Sequence, residues 1–228
     1  MDVAIIGGTG AEGFGLTLRL AKAGHHVTIG SRDAGRAAAK ADEATDILGS
    51  GVDVDGAENP AAAAAAPVVI VTVPFEGAAA IYESIAPSIT PETVVCDCTS
   101  PLMASVGGRA SHALHPWHGS AAEFIRTFLP RGTRLVAGFH TVSAGVLRAL
   151  DKPVDSDTFV MGEDAEAKAT IGALAEDIDG MRWVDLGGLQ MARIAEQMTP
   201  LLISVNVRYK IHDAGFRMTG RDPWGAPG

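Results

Sequence analysis

The sequence is short of cysteine, short of positive charge and without a long apolar run, and each shortage removes a class of protein. Its two cysteines, Cys96 and Cys98, stand two apart in a strand-like stretch. Side chains two apart on a strand point to one face, which makes them reduced core residues rather than a disulfide framework. They also have neither the spacing nor the histidine partners of a metal site. Lys and Arg number 18 against 27 Asp and Glu, a formal charge of -9. That balance argues against a general binder of nucleic acid or anionic membrane, while local basic sites remain open. No apolar stretch is long enough to cross a bilayer, and Met1-Asp2 runs straight into a strand-like segment without a signal peptide. Together these features describe a soluble cytoplasmic protein.

The sequence also shows no convincing catalytic triad, metal cluster or pair of carboxylates at acid/base spacing. His112, His115 and His118 recur at spacing three, but Pro116 interrupts the helix that would align them. No neighbouring carboxylate or cysteine completes a ligand set, so no metal is expected, and the stretch reads as a loop over a second substrate.

What the chain does have is glycine, 27 residues in all, and the informative ones come first. Val3-Ala4-Ile5-Ile6 is a buried-strand run that opens into Gly7-Gly8-Thr9-Gly10-Ala11-Glu12-Gly13 and then an apolar-periodic helix. Gly8, Gly10 and Gly13 have the G-x-G-x-x-G spacing: the first permits a tight turn, the second lets a pyrophosphate approach the backbone, and the third packs helix on strand. The first helix turn then offers N–H groups and a positive dipole end to phosphate. After the second strand, His26 to Gly30, an NAD enzyme would place an acid on the ribose hydroxyls. Here Ser31 and Arg32 follow, with Arg36 one turn on. A hydroxyl and two cations suit a 2′-phosphate, so the dinucleotide is NADP(H).

Strand and helix signals then alternate. Helix is expected over 34–48, a short strand over 52–54, and strands over 68–73, 93–98 and 134–140. Helices fall at 75–85 and 120–128. This is an α/β pattern, a Rossmann-type doubly wound parallel sheet with right-handed crossovers. Residues 1–150 read as the NADP-binding domain and 151–228 as a small C-terminal domain closing over the sheet's carboxyl edge. In the latter, strands are expected at 158–161 and 182–186, a helix over 165–178, and a long final helix from near Leu189 past Tyr209. Leu201, Leu202, Val205 and Tyr209 are expected on one side of that helix, and the end from Thr219 is expected to be mobile or to cover another subunit.

Further motifs make a resemblance specific. Gly24-His25, Gly30-Ser31-Arg32, Thr72-Val73-Pro74-Phe75-Glu76, Gly119-Ser120-Ala121-Ala122-Glu123, Phe139-His140-Thr141-Val142-Ser143-Ala144, Asp185-Leu186-Gly187, Thr199-Pro200-Leu201-Leu202 and Arg208-Tyr209-Lys210 follow the glycine loop in order. With that loop they resemble the F420H2:NADP oxidoreductase family, NADPH-dependent reductases of the deazaflavin coenzyme F420, along nearly the whole chain. The resemblance implies that the backbone at Gly8, Thr9, Gly10, Ala11, Glu12 and Gly13 takes the pyrophosphate, and that Ser31, Arg32 and Arg36 take the 2′-phosphate. Val73, Gly77, Ser100 and Ala144 would line the ribose and nicotinamide. Arg36 stands where a lysine is often found, and Ser100 replaces an apolar residue of some relatives. Residues 104–118 and the tail from Arg221 depart from the family pattern. The family assembles as homodimers, and a long apolar final helix fits that expectation.

The implied chemistry is direct hydride transfer between nicotinamide C4 and deazaflavin C5, which needs two stacked rings at about 3 to 3.5 Å and no nucleophile. His140, at the carboxyl end of the sixth strand, is the candidate to orient and polarise the deazaflavin's pyrimidine-like edge, the alternative being a histidine bonded to a backbone carbonyl. Arg193, Arg208, Lys210, Arg217 and Arg221 are candidate cations for the deazaflavin's anionic tail. Two other functions fit the residues: an NADPH- or F420H2-dependent reductase of a small imine or carbonyl, suggested by residues 104–118, and a non-enzymatic NADP(H) sensor.

Overall fold

A computed structural model describes residues 1–220 and Trp224. Its elements are β1 (Asp2–Ile6), α1 (Ala11–Lys22), β2 (His26–Ser31), α2 (Ala34–Leu48), β3 (Val54–Glu58), α3 (Asn59–Ala65), β4 (Val68–Val71) and α4 (Phe75–Ile85). There follow β5 (Val94–Asp97), α5 (Ala121–Ile125), β6 (Arg134–Ala137), α6 (Ala144–Arg148), β7 (Asp157–Gly162), α7 (Ala165–Glu176), β8 (Arg182–Asp185) and α8 (Ala192–Tyr209). The strands form one sheet in the order β3-β2-β1-β4-β5-β6-β7-β8.

Alternation along β1 divides the core. Val3 and Ile5 pack with Leu16, Leu20 and Ile70 on one face, and Ala4 and Ile6 pack with Val69, Val71 and Tyr82 on the other. Each fully buried Val, Leu or Ile contributes about 1.5–3 kcal/mol. Both faces are covered, which is why β4 is apolar at every position. Cys96 and Cys98 are free, buried and in the same cluster, as their spacing predicts.

Strands β1 to β6 are parallel, as the doubly wound reading expects, and β7 then pairs antiparallel to β6. β8 then runs parallel to β7. Residues beyond 150 therefore extend the same sheet, and Val160, Ile171 and Trp183 share a cluster with Val3 and Leu16.

Other boundaries move for local reasons. The third strand is Val54–Glu58 rather than 52–54, and Gly56 within it lets α2 approach: a Cβ there would lie 2.3 Å from the Ala37 carbonyl carbon. β6 stops at Ala137 because Phe139 adopts a left-handed φ of 63°. The helix expected over 120–128 is α5 followed by a 3-10 turn at Arg126–Phe128. A similar turn at Leu189–Met191 precedes α8. On α8, Leu202 faces the core at 8% exposure while Leu201 is 51% exposed and Tyr209 68%, so the four apolar residues do not share one side. The expectation for the tail from 221 lies, except for Trp224, outside the described residues.

Two arginine arrangements hold the later segments in place. Arg19 of α1, 4% exposed, donates from Nε to Leu147 O (2.8 Å) and from Nη2 to the carbonyls of Val146, Ala149 and Lys152. The fully buried Asp157 carboxylate accepts from Arg182, Arg217 and the Met218 N–H, which ties the stretch after α8 to the start of β7.

Candidate functional site

The order β3-β2-β1-β4 reverses direction between β1 and β4, and open α/β sheets bind ligands at the carboxyl end of such a switch. The glycine loop occupies that point. Gly7 has φ 78°, a region that L side chains avoid, and it turns the chain so that Gly7 N and Gly8 N both reach Gly30 O, at 3.1 and 3.2 Å. A Cβ on Gly13 would lie 2.4 Å from Thr72 Oγ1, so glycine there keeps α1 against the end of β4. Gly8 is equally closed, its Cβ position 2.8 Å from Ile5 O, whereas at Gly10 the only close neighbour is Gly7 O at 3.2 Å. The loop thus packs through Gly8 and Gly13 and leaves an open face at Gly10, whose extended backbone starts α1 without a side-chain cap. The N–H groups of the first helical turn lack helical partners there.

A cavity of about 370 Å³ opens in front of this turn. Thr9 and Gly10 line it from the loop, Ser31 from the end of β2, Arg32 and Arg36 from beyond it, and Val73 and Gly77 from beyond β4. Ser31 is buried, while Arg32 and Arg36 are exposed and form no ion pair among the described residues. The neighbouring acid in the chain, Asp33, caps α2, its Oδ1 accepting from Arg36 N at 2.7 Å. Asn59 also lines the cavity, and its buried Oδ1 accepts nothing; its place at the start of a low-complexity alanine run concealed it in the sequence. The remaining predicted residues do not line this cavity. Gly8 and Gly13 lie behind it, Ala11 and Glu12 open α1, and Ala144 begins α6. Ser100 lies beyond β5, its hydroxyl 2.7 Å from that of Thr199.

Beyond β6 the left-handed Phe139 donates its N–H to Thr158 Oγ1 at 2.8 Å. This bend brings His140 inward. Its carbonyl accepts from Thr199 Oγ1 at 2.8 Å, while Thr141 Oγ1 donates to Asp157 O at 3.0 Å. The His140 ring is buried, at 6% residue exposure, and neither ring nitrogen has a partner among the described residues. Burial pushes it down to about 4, so the imidazole is neutral near pH 7. The reading of a histidine bonded to a backbone carbonyl therefore does not hold for its ring.

Two carboxyls stand against that ring. Asp97, at the end of β5, accepts at Oδ1 from Tyr82 (2.9 Å) and Thr99 Oγ1 (2.6 Å), and its Oδ2 is buried without a partner. Burial lifts it to about 6 against those hydrogen bonds. Glu196 of α8 accepts from Ala121 N at 2.8 Å and Ala122 N at 3.1 Å. Burial lifts it to about 8 despite those two bonds, with Asp97 and Glu123 adding to the rise. One ligand atom from each of Asp97, His140 and Glu196 falls within a 4.8 Å cluster. Glu12 is pushed to about 8 as well, by burial and then by Asp97, which sets the cluster beside the start of α1. The expectation that no carboxylates pair here is thus corrected: Asp97 and Glu196 come from different elements, and no local spacing could reveal them.

A 3-10 turn at Met103–Val106 opens residues 104–118, and the rest of that stretch is a loop, as expected. Met103 N donates to His112 O at 2.9 Å, and Ser105 Oγ donates to Glu76 Oε2 at 2.9 Å, tying the loop to α4. His118 rests on the Phe124 ring at 5.1 Å, and none of the three histidines belongs to a potential ligand group among the described residues. Of the candidate cations, Arg217 is committed to Asp155 and Asp157, so its assignment to a ligand tail is withdrawn. Arg193, Arg208 and Lys210 are exposed; Arg221 lies outside the described residues. No described helix is long and apolar enough to cross a membrane.

Residues 2–101 match the family model for coenzyme F420-dependent NADP oxidoreductases. Over 221 residues the chain is 43% identical to the F420-dependent NADP reductase of Methanothermobacter thermautotrophicus, covering 96% of this chain and 95% of that protein. The reductase of the same name from Methanocaldococcus jannaschii is 40% identical, covering 96% and 98%. Among solved structures, a provisionally assigned F420-dependent NADP reductase from Arthrobacter sp. FB24 superposes with a TM-score of 0.80 at 25% identity, over 96% of this chain and 99% of that one. The Streptomyces aurantiacus imine reductase superposes at 0.60 and 20% identity, over 90% and 61%, a likeness of fold.

Proposed function

This chain belongs to the F420-dependent NADP reductase family, and on that premise we propose that it transfers a hydride directly between NADP(H) and coenzyme F420. The observation that carries the reading is the pairing of an open glycine cradle and two arginines without an ion pair among the described residues with a buried histidine ring that has no partner among them. The cradle fits a dinucleotide: the backbone is bare at Gly10, and the cavity is lined by the cations Arg32 and Arg36 as well as by the apolar Val73.

Thr9, Gly10, Ala11 and Glu12 hold the pyrophosphate through main-chain N–H groups, with Gly8 and Gly13 shaping the turn. Ser31, Arg32 and Arg36 hold the 2′-phosphate. Val73, Gly77, Ser100 and Ala144 line the ribose and nicotinamide. His140 faces the deazaflavin and polarises its ring edge. The two bound coenzymes supply the redox chemistry, and the chain aligns them and excludes water. Residues 1–150 form the NADP-binding part and residues 151–228 the part that closes over the second site. Reduction of a small imine or carbonyl is not the preferred reading, because the likeness to imine reductases is one of fold alone.

The reductase is a homodimer of the cytoplasm in this reading. Ile194 and Leu201, seven residues apart on α8, are exposed apolar side chains on one face, a stripe that a second copy would cover. Light scattering that finds an active monomer at micromolar concentration removes the dimer. For the activity, the pure protein is mixed with NADPH and oxidised deazaflavin: loss of deazaflavin absorbance is expected, and its persistence while NADPH is consumed by an imine or ketone overturns the assignment.

A further inference from the structure

Asp97, His140 and Glu196 come from three elements and converge within 4.8 Å. Within the cluster, Asp97 Oδ2 and both ring nitrogens of His140 are buried and have no partner among the described residues. An unpaired buried polar group costs about 1–3 kcal/mol and an unpaired buried charge more. The groups around the cluster offer no relief. Glu12 stands on α1, Tyr82 on α4, Cys96 and Cys98 on and after β5, and Glu123 on α5, and none of these is a cation. Two ionised carboxylates here would repel each other in a dry site, whereas a proton held on one of them removes that repulsion and supplies a donor that the other carboxylate or the His140 ring can accept. Glu196 is the better holder, since two main-chain N–H groups fix its position.

We propose that Glu196 and Asp97 share a buried proton and that His140 passes it to the hydride acceptor during reduction. The idea rests on the reading that His140 faces the deazaflavin. As hydride arrives at C5, the nicotinamide C4–H bond breaks with its electron pair and the new C–H bond forms. The displaced π pair of the acceptor reaches its ring nitrogen, which takes the proton from one His140 nitrogen. The other His140 nitrogen takes the proton held by Glu196 and Asp97, leaving a carboxylate that recovers a proton from solvent. His140 touches the acceptor; Glu196 and Asp97 act through it, as positioning residues. Burial, which favours the neutral acid at Glu196 and the neutral ring at His140, agrees with this division.

The proton itself is read in coenzyme-free protein by infrared spectroscopy. Carboxylic-acid carbonyl absorption should be present at pH 7 from both Glu12 and Glu196, and a component that is lost in Glu196→Gln but kept in Glu12→Gln should titrate with a midpoint near 8. A wild-type spectrum without such absorption, an unchanged band in Glu196→Gln, or its appearance only after chelator treatment, which would mean a bound cation, overturns the proton store. Should Glu196→Gln not fold, the wild-type titration and Asp97→Asn serve instead, the latter shifting the midpoint downward by removing a neighbouring charge. Delivery is read in single turnovers with NADPH. Glu196→Gln should slow deazaflavin reduction about 100-fold, flatten the fall in rate above pH 8 and leave NADPH affinity unchanged. A wild-type rate and pH profile overturn the relay. A wild-type rate in His140→Ala with the infrared band intact would overturn the placement of His140 against the deazaflavin, a failure separate from that of the proton store.

Discussion

Thr199 donates its hydroxyl proton to the main-chain carbonyl of His140 at 2.8 Å, and Thr199 Oγ1 itself lies 2.7 Å from Ser100 Oγ. One side chain of α8 therefore fastens the ends of β5 and β6, one helical turn beyond Glu196. Thr199→Val keeps the shape and removes the bond, worth about 0.5–1.5 kcal/mol. The expected result is roughly 3- to 10-fold slower deazaflavin reduction with unchanged NADPH affinity, and recovery in Thr199→Ser. A valine variant with the full single-turnover rate would remove Thr199 from the site.

How much of this was legible in the sequence depends on whether a feature is contiguous. The glycine loop could be read because Gly8, Gly10 and Gly13 each answer a constraint within a few residues. The cavity likewise received Ser31, Arg32 and Arg36 at their expected places. The cluster of Asp97, His140 and Glu196 left no trace, since its members meet only when α8 folds back across the sheet. Arg19 hid for the same reason: in a periodic helix it reads as a surface cation, and its acceptors lie 127 to 133 residues away. The reversal at β7 has no periodicity to announce it, because a buried strand looks apolar in either direction. β3 was misplaced because Asp55, Gly56 and Glu58 mask an edge strand that is specified by its fit to α2.

Arg32 lines the cavity and is paired with no described acid. Arg32→Ala should weaken NADPH by about 1.5–3 kcal/mol, the scale of a hydrogen bond to a charged group, and leave NADH nearly unchanged. Calorimetric titration with both nucleotides decides it. Equal losses would move the 2′-phosphate elsewhere.

Arg19 supports the site from behind. Its guanidinium satisfies four carbonyls around the end of α6, and Arg19→Met would strand them in a buried place. The cost is about 3 kcal/mol, which in a chain of this size lowers Tm by roughly 6–12 °C. Arg19→Lys restores only part, because a point charge cannot reproduce the planar fork. Calorimetry on the three proteins checks the order; a methionine variant as stable as the wild type would make the network ornamental.

The pH dependence of stability follows from which groups release protons on folding and which retain them. Asp164, held near 2 by Arg134, adds stability above its unfolded value of 3.8 that is lost as pH falls through 2. His140, held near 4 by burial, adds stability above its unfolded 6.5 that is lost on acidification toward 4. Asp97 rises from 3.8 to about 6, so it lowers stability as pH climbs through that interval and is spent by 6.5. Glu12 and Glu196 rise from 4.5 to about 8: the folded protein keeps protons that the unfolded chain has released, and stability falls until both ionise. Between pH 6.5 and 8 these two therefore dominate, with a slope of about 1.4 kcal/mol per pH unit for each group. His26, raised first by its bond to Asp55 and then by Asp53 and Asp2, is lost in the same direction, but it is exposed to solvent and is screened in 1 M salt. Thermal melts in 1 M salt should show Tm falling from pH 6.5 to 8 and levelling above, and Glu196→Gln should remove about half of the slope. A Tm that holds steady or rises across that window would mean that Glu196 is ionised in the folded protein at neutral pH.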